Sequence, residues 1–231
     1  MVPSRRLILF DIDGTLITSG GAGERALIEA MHSRFGIDED FQGIHLAGAT
    51  DGAIAKNLLE KNGQPSTPEN VASLLDGYLD HLADRIGKHE GTLLPGILPL
   101  LEALRRRPDA ILALLTGNVR RGAEIKLGHY GVWDFFEFGA FADDHHDRNQ
   151  LGHFARQRAV EHHGEDFPPE RIFVLGDTPR DIECGRAIGA KTFAIATGQY
   201  SKDALAEHHP DFLFSDLADT AAVIAALFPQ N

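Results

Sequence analysis

The sequence has few of the features that mark secreted or membrane proteins. Its 231 residues include one cysteine, Cys184, so no disulfide can form within the chain. The longest apolar run without glycine or proline is Ala221–Phe228, far shorter than the roughly 20 residues that a membrane-spanning helix needs. Near the start only Leu7–Phe10 is apolar, which is too short for a signal peptide. We therefore expect a cytoplasmic protein that does not bind a membrane.

Positive charge is also scarce. The 22 Lys and Arg residues against 34 Asp and Glu residues give a net charge of -12. A surface of that sign repels nucleic acid backbones and anionic lipids, so neither is an expected partner. Hydrophobic residues make up 43% and charged residues 24%, which is typical of a globular protein with a packed core. The length favours one domain that carries a sizeable insertion.

Short apolar segments alternate with helical patterns along most of the chain. Unbroken apolar runs are typical of strands buried on both faces, and parallel strands need crossover helices. The pattern therefore predicts an α/β fold with a doubly wound parallel sheet, whose ligand site lies at the carboxyl ends of the strands. The predicted strands are Leu7–Phe10, Ile111–Leu115, Ile172–Leu175 and Thr192–Ala196. The predicted helices between and after them are Ile97–Arg107, Val119–Tyr130, Phe154–His163, Pro179–Ile188 and one near Leu217–Phe228.

One stretch, residues 16–92, interrupts this alternation. It contains three helical patterns, Gly23–Phe35, Thr50–Lys61 and Glu69–Lys88, and no convincing buried strand. Because it leaves directly after the first strand, it should cover the carboxyl ends of the strands as an α-helical cap domain. We predict a catalytic core formed by residues 1–15 and 93–231, with the cap at 16–92.

The first candidate motif is Asp11-Ile12-Asp13-Gly14-Thr15, directly after a predicted strand. Two carboxylates spaced by two residues in a turn can reach one cleft, where one attacks and the other handles protons. Gly14 permits the sharp backbone turn. The alternative interpretation is an Asx turn that only ends the strand.

Two further strand ends carry polar residues. Thr116-Gly117-Asn118 offers a hydroxyl and free amides that suit an anion, although a Thr before Gly is more often a helix cap. Asp177 and Asp181 are four residues apart and can share one opening; alternatively Asp177 is an N-cap and Asp181 complements the helix dipole.

Together these motifs predict a metal site. If the three strand ends converge, Asp11, Asp13, Asp177 and Asp181 repel one another unless a cation neutralises them. Oxygen ligands without His or Cys favour Mg²⁺, which commonly bridges carboxylates and phosphate oxygens.

The three motifs resemble the first, second and fourth motifs of the haloacid dehalogenase superfamily, and the insertion resembles the cap of its phosphoglycolate phosphatase and beta-phosphoglucomutase subgroup. The resemblance implies a Rossmann-like core in which Asp11 forms an aspartyl-phosphate. It implies that Asp13 protonates the leaving oxygen and then activates water. It also implies that Thr116 and the amides of Gly117 or Asn118 bind the phosphoryl oxygens. Mg²⁺ would be held by Asp11, the Asp13 carbonyl and Asp177, with support from Asp181.

The third motif of that superfamily, usually Lys-Pro, is where this sequence departs. Arg148 stands at the matching position, and no proline follows it. The planar guanidinium suits phosphate and carboxylate together. Lys126, on the helix after Thr116, is the rival for this role, and we favour Arg148.

Phosphomonoester hydrolysis is the reaction we expect, because the resemblance implies a second acid, Asp13, that dehalogenases lack. Thr50 at a predicted helix start is a candidate substrate contact or a plain helix cap. His45 and Lys56 are treated as exposed cap positions. The substrate is expected to be a small phosphate ester, phosphoglycolate-like or a sugar phosphate, and the protein a monomer or homodimer. The alternatives are a phosphosugar mutase and, less favoured, a non-catalytic binding protein.

Overall fold

A six-stranded parallel sheet forms the centre of the protein in the computed structural model, which describes residues 5–44 and 46–229. His45 lies outside the described residues. The strands of the described residues are β1 (Arg6–Phe10), β2 (Ile17–Thr18), β3 (Thr92–Leu93), β4 (Ala110–Leu115), β5 (Phe138–Ala140), β6 (Ile172–Gly176), β7 (Lys191–Ile195) and β8 (Phe212–Phe214). Strands β2 and β3 form a separate pair, and the other six form the central sheet. The α-helices are α1 (Ala22–Phe35), α2 (Asp51–Lys61), α3 (Pro68–Arg85), α4 (Ile97–Arg105), α5 (Arg120–His129), α6 (Arg148–His163), α7 (Pro179–Ala187), α8 (Lys202–Ala206) and α9 (Thr220–Leu227).

The order of the strands across this sheet is β5-β4-β1-β6-β7-β8, and every neighbouring pair is parallel. The predicted doubly wound α/β fold is therefore confirmed, and the four predicted strands are present to within one residue at each end. The chain builds outward from β1 through β4 to β5 and then crosses back to β6. This reversal of direction beside β1 creates a crevice at the carboxyl ends of β1, β4 and β6, where ligands bind in such sheets.

Alternate side chains of β1 point to opposite faces of the sheet and contribute to the apolar core on each face. Ile8 and Phe10 pack with residues of α4, α5 and α9, whereas Leu7 and Leu9 pack with residues of α6 and α7. All four side chains are fully buried. Successive residues of a strand point to opposite faces, so a strand covered by helices on both sides must be apolar throughout. This burial fixes the position at which β1 ends and Asp11 begins.

Several elements differ from the prediction. The edge strands β5 and β8 and the short helix α8 were not predicted, because three to five residues are too few to show a pattern against neighbouring turns. Helix α6 begins at Arg148 and not at Phe154. Asp147 caps it, with its Oδ1 accepting a hydrogen bond from the Asn149 amide over 3.0 Å.

Helices α1, α2 and α3 pack on one another around their own apolar cluster, which includes Met31, Leu58 and Leu74. The segment was expected to contain no convincing buried strand, and the strands found at its two ends have two residues each and are partly exposed. Strands β2 and β3 pair antiparallel, with Ile17 opposite Leu93, at the two points where this helical segment leaves and rejoins the sheet. Two-residue strands have no readable alternation. The division into domains at 16 and 92 stays a prediction.

None of the helices among the described residues combines the length and the apolar character that crossing a membrane requires.

Candidate active site

The carboxyl ends of β1, β4 and β6 bring the predicted motifs together. Asp11 follows β1, and its amide donates to the carbonyl of Leu175 on β6 over 3.0 Å. Thr116 follows β4, and Asp177 follows β6. Register fixes this convergence, since Phe10 pairs with both Leu114 and Leu175. Strand ends far apart in sequence therefore meet at one edge.

Three buried carboxylates form the centre of this site. Asp11, Asp177 and Asp181 each offer an oxygen, and these oxygens lie within 4.8 Å of one another. Burial, and then the charges of Asp181 and Asp11, raise the pKa of Asp177 to about 8. Burial also raises the pKa of Asp11, to about 6, although the charge of Arg148 acts to lower it. Such mutual repulsion is relieved by a cation, and an all-oxygen donor set suits a hard divalent ion. The site therefore fits a divalent metal ion.

Two glycines leave room for Asp177. A Cβ at Gly14 or at Gly198 would collide with the Asp177 carboxylate. Gly14 also has a φ of 82°, which residues with a side chain rarely adopt. Thr15 holds the same carboxylate, because its Oγ1 donates to Asp177 Oδ1 over 3.1 Å. The loops after β1 and β7 thus leave the space that the Asp177 carboxylate occupies, and Thr15 holds that carboxylate.

Asp181 serves two partners from the first turn of α7. Its Oδ2 accepts hydrogen bonds from the amide and hydroxyl of Thr178, over 3.0 and 2.7 Å. The N-cap of α7 is Thr178, so the alternative interpretation of Asp177 as the cap was wrong. The other oxygen, Oδ1, contacts Arg148. Asp181 is therefore held between the helix cap and a buried cation.

Arg148 is a buried cation that contacts two of the three central carboxylates, Asp11 and Asp181. Its Nη2 lies 3.0 Å from Asp11 Oδ1 and also contacts Asp181. Burial opposes its charge, but Asp11 and Asp181 outweigh burial and raise the pKa of Arg148. Its Nη1 donates to the carbonyl of Gly48 over 3.2 Å, so it also touches the loop before α2. Arg148 thus links the first and fourth motifs.

Lys126 lies in the same site on a different carboxylate. Its Nζ donates to Asp13 Oδ2 over 2.6 Å and to Asn118 Oδ1 over 2.7 Å. The sequence analysis predicts one of the two for the third-motif position, and the structure places both at the site. Arg148 contacts Asp11 and Asp181, whereas Lys126 contacts Asp13.

The second motif, Thr116-Gly117-Asn118, contacts both Asp13 and the start of α2. The Thr116 hydroxyl is fully buried and accepts hydrogen bonds from the amide and the side-chain Nδ2 of Asn118, over 3.3 and 2.9 Å. The same Nδ2 donates to Asp13 Oδ2 over 2.9 Å. The Gly117 carbonyl accepts from the Asp51 amide over 2.7 Å. This segment therefore connects the core to the start of α2.

A cavity of about 400 Å³ lies between the helical segment and the sheet edge. Asp11, Asp13, Asn118, Lys126, Arg148 and Asp177 line its floor. The helical segment contributes Leu27, Asp51, Ile54 and Tyr78 to the opposite wall. The candidate chemistry thus faces a partly open cleft of the size of a small metabolite.

Thr50 acts as the N-cap of α2. Its hydroxyl accepts from the Ala53 amide over 3.3 Å and donates to the His146 carbonyl over 2.8 Å. The interpretation of Thr50 as a helix N-cap is therefore confirmed, and a contact of Thr50 with substrate stays a prediction. The neighbouring Asp51 lines the cavity instead.

Sequence reasoning missed Asp51, Tyr78 and Thr197. Thr197 follows β7, and its hydroxyl donates to the Gly14 carbonyl over 2.6 Å. The strand-end rule that found Asp11 and Asp177 would also have found Thr197. Tyr78 and Asp51 lie on helices of the insertion, where no local pattern shows which residues face the sheet.

Comparison with known proteins gives a consistent result. The profile of a family described as haloacid dehalogenase-like hydrolase matches residues 8–186. The chain is 26% identical over 222 residues to a protein named pyrophosphatase PpaX from Bacillus pumilus, covering 95% of this chain and 96% of that one. It is 25% identical over 234 residues to a phosphoglycolate phosphatase from Mannheimia succiniciproducens, covering 95% and 98%. The crystal structure of CbbY from Rhodobacter sphaeroides in complex with phosphate has a TM-score of 0.74 at 19% identity, covering 93% and 96%.

Proposed function

Because the chain belongs to the haloacid dehalogenase-like hydrolase family, we propose that it is a Mg²⁺-dependent phosphatase that hydrolyses a small phosphomonoester. One observation carries this proposal. Asp11 stands at the end of the central strand beside Asp177, Asp181 and Arg148, and it lines a cavity that Asp13 also lines. A nucleophile, a second acid and a cation site therefore face one space.

In the first step, a carboxylate oxygen of Asp11 attacks phosphorus, and the bond between phosphorus and the ester oxygen breaks. Asp13 gives its proton to the departing oxygen, which leaves as an alcohol. In the second step, Asp13 takes a proton from water while the water oxygen attacks the phosphorus of the aspartyl-phosphate. Inorganic phosphate leaves, and Asp11 is restored as a carboxylate.

The other residues stabilise the charge on the transferring group. Thr116 and the amide of Gly117 or Asn118 would bind phosphoryl oxygens, as fixed donors do in other transfer reactions. A bound Mg²⁺, held by Asp11, Asp177 and the Asp13 carbonyl with support from Asp181, would neutralise negative charge on the phosphoryl oxygens. Arg148 keeps Asp11 ionised for attack, since its Nη2 lies 3.0 Å from that carboxylate.

The substrate is small, because the cavity has a volume of about 400 Å³ and the insertion at 16–92 acts as a cap over it. Related proteins carry names that point to phosphoglycolate and pyrophosphate. A phosphoglycolate-like compound or a sugar phosphate is the substrate class we propose. We place the reaction in the cytoplasm and expect a monomer or homodimer without nucleic acid or membrane partners.

Release of inorganic phosphate from a panel of small phosphomonoesters tests the proposal, with Mg²⁺ or with excess chelator. We expect Mg²⁺-dependent release by the wild type and none by Asp11→Asn, because an amide does not attack phosphorus. Asp76→Asn, an exposed position on α3, serves as the matched control and should keep full activity. Full activity of Asp11→Asn would remove the covalent mechanism. Turnover that needs a sugar bisphosphate and releases little phosphate would identify a mutase instead.

A further inference from the structure

Asp13 is held at only one of its two carboxylate oxygens. Lys126 Nζ and Asn118 Nδ2 both donate to Oδ2, over 2.6 and 2.9 Å. Within residues 5–44 and 46–229, no group donates a hydrogen bond to Oδ1. The Asp13 side chain is 43% exposed and lines the cavity. The clamp on Oδ2 therefore leaves Oδ1 as the oxygen that a bound molecule can reach.

The cation that contacts Asp13 Oδ2, Lys126, is buried. The Lys126 side chain is 5% exposed, and an ammonium group so buried needs close partners to offset its lost hydration. Asp13 and the side-chain carbonyl of Asn118 supply them. Asn118 also donates to Asp13, so the three side chains form a closed triangle. A triangle of this kind fixes the rotation of the Asp13 carboxylate, which a single hydrogen bond leaves free.

The helical segment closes over the same cation. The Tyr78 hydroxyl and Lys126 Nζ both lie 3.8 Å from the position that a Cβ would take at Gly23 on α1. Burial raises the pKa of Tyr78, so the phenol stays protonated and polar beside the ammonium group. Lys126 thus lies where α1, α3 and the sheet edge meet, and its position depends on all three.

We propose that Lys126 is a positioning residue that orients the Asp13 carboxylate so that Oδ1 faces the leaving oxygen of the substrate. This inference rests on the proposed phosphatase function, and it gives Lys126 a role distinct from that of Arg148. Arg148 contacts the carboxylate that attacks phosphorus. Lys126 contacts the carboxylate that transfers the proton, and it contacts Asn118, which itself donates to that carboxylate. Removing Lys126 should therefore slow the steps that need this proton transfer and spare the others.

Two substrates separate these steps. An alkyl phosphomonoester needs a proton on its departing oxygen, whereas p-nitrophenolate leaves without one. In Lys126→Met, we expect formation of the aspartyl-phosphate from the best alkyl substrate to slow by about 10²-fold, the scale of general acid catalysis. The pre-steady-state burst of p-nitrophenolate should keep its rate within about threefold, since that step bypasses the acid.

Three controls sharpen the experiment. Lys56→Met removes an exposed lysine of α2 and should leave both rates unchanged. Lys126→Arg retains a donor and should recover part of the loss on the alkyl ester. In an Asp13→Asn background, Lys126→Met should cost less than about threefold, because a residue that acts through Asp13 has nothing left to position.

The outcomes separate the two proposals. Absence of phosphate release by the wild type would contradict the phosphatase function itself. Activity in the wild type with equal slowing of both substrates in Lys126→Met would overturn the positioning role and indicate a structural one. The p-nitrophenolate burst also reports folding of the variant. If Lys126→Met does not fold, the ratio of the two rates in Lys126→Arg decides the question, and an unchanged ratio with both rates lowered would contradict the proposal.

Discussion

At the scale of single residues, the site separates two buried cations by the carboxylates they touch. Arg148 reaches Asp11 and Asp181, and Lys126 reaches Asp13. The sequence offered both as candidates, but a long side chain on a helix can reach several carboxylates. Packing of α5 and α6 against the sheet decides which one each cation meets. The division of labour was therefore beyond prediction from spacing alone.

Arg148→Ala should lower kcat/KM more than Lys126→Ala. Arg148 touches the attacking carboxylate, and removal of one charged donor at a reacting centre costs about 10² to 10³-fold. The Arg148 variant should also lose about 3 to 5 kcal/mol of unfolding free energy in chelator, because buried carboxylates lose their partner. Steady-state kinetics and urea denaturation of both variants test this ranking. A larger loss of activity for Lys126→Ala would contradict it.

The acidic residues were the most predictable part of the site. Asp11 and Asp177 each follow an apolar strand, and the ends of parallel strands meet at one edge whatever the connecting loops do. Tyr78 was not predictable, because it is one of many residues on an amphipathic helix of the insertion. Its place beside Lys126 depends on how that helix packs, which no local pattern contains.

At the scale of elements, the start of α2 connects the helical segment to the sheet edge. The Asp51 amide donates to the Gly117 carbonyl over 2.7 Å, and Asp51 Oδ2 accepts from the Val119 amide over 2.8 Å. Thr50 adds a hydrogen bond to the carbonyl of His146. These bonds join the helical segment to the sheet edge beside the cavity, and Asp51 supplies the ionisable side chain among them.

Asp51 should make stability depend on pH. Burial, partly offset by Lys126, raises its pKa from 3.8 to about 6. Between these values the folded protein binds the proton more tightly than the unfolded chain, so stability falls as pH rises. Relative to Asp51→Asn, the wild type should lose on the order of 2 kcal/mol of unfolding free energy from about pH 4 to about pH 6. Denaturation of both proteins across this range gives the difference directly, and a flat or rising difference would show that folding does not raise the pKa of Asp51.

Prediction of the elements followed their length. The four buried strands and the helices after them were found, because each has enough residues to show a continuous apolar run or a helical period. Strands β2 and β3, with two residues each, were missed. These short strands pair where the helical segment leaves and rejoins the sheet, so the least predictable elements lie at this junction.

At the scale of the whole molecule, the net negative charge and the buried carboxylates both favour the binding of a cation. The net charge is -12, and the buried group of Asp11, Asp177 and Asp181 adds repulsion inside the fold that Arg148 only partly relieves. The family comparison shows to which family this protein belongs, whereas the energetic cost of the three carboxylates follows from their burial and their mutual repulsion. The folded protein should therefore gain stability from a cation even when no substrate is present.

Thermal unfolding tests this without any assay of activity. A ligand that binds only the folded state stabilises it by about 2.7 kcal/mol at a hundred times its Kd, which for a chain of this length raises Tm by roughly 5 to 10 °C. We expect Mg²⁺ to raise the Tm of the wild type and of Asp76→Asn. The Asp177→Asn variant should lose this response. In chelator, however, Asp177→Asn should unfold at a higher temperature than the wild type, because it removes a carboxylate that repels Asp11 and Asp181. A simple loss of packing at this position would lower the Tm in chelator as well, so the opposite signs of the two effects distinguish a cation site from a structural one.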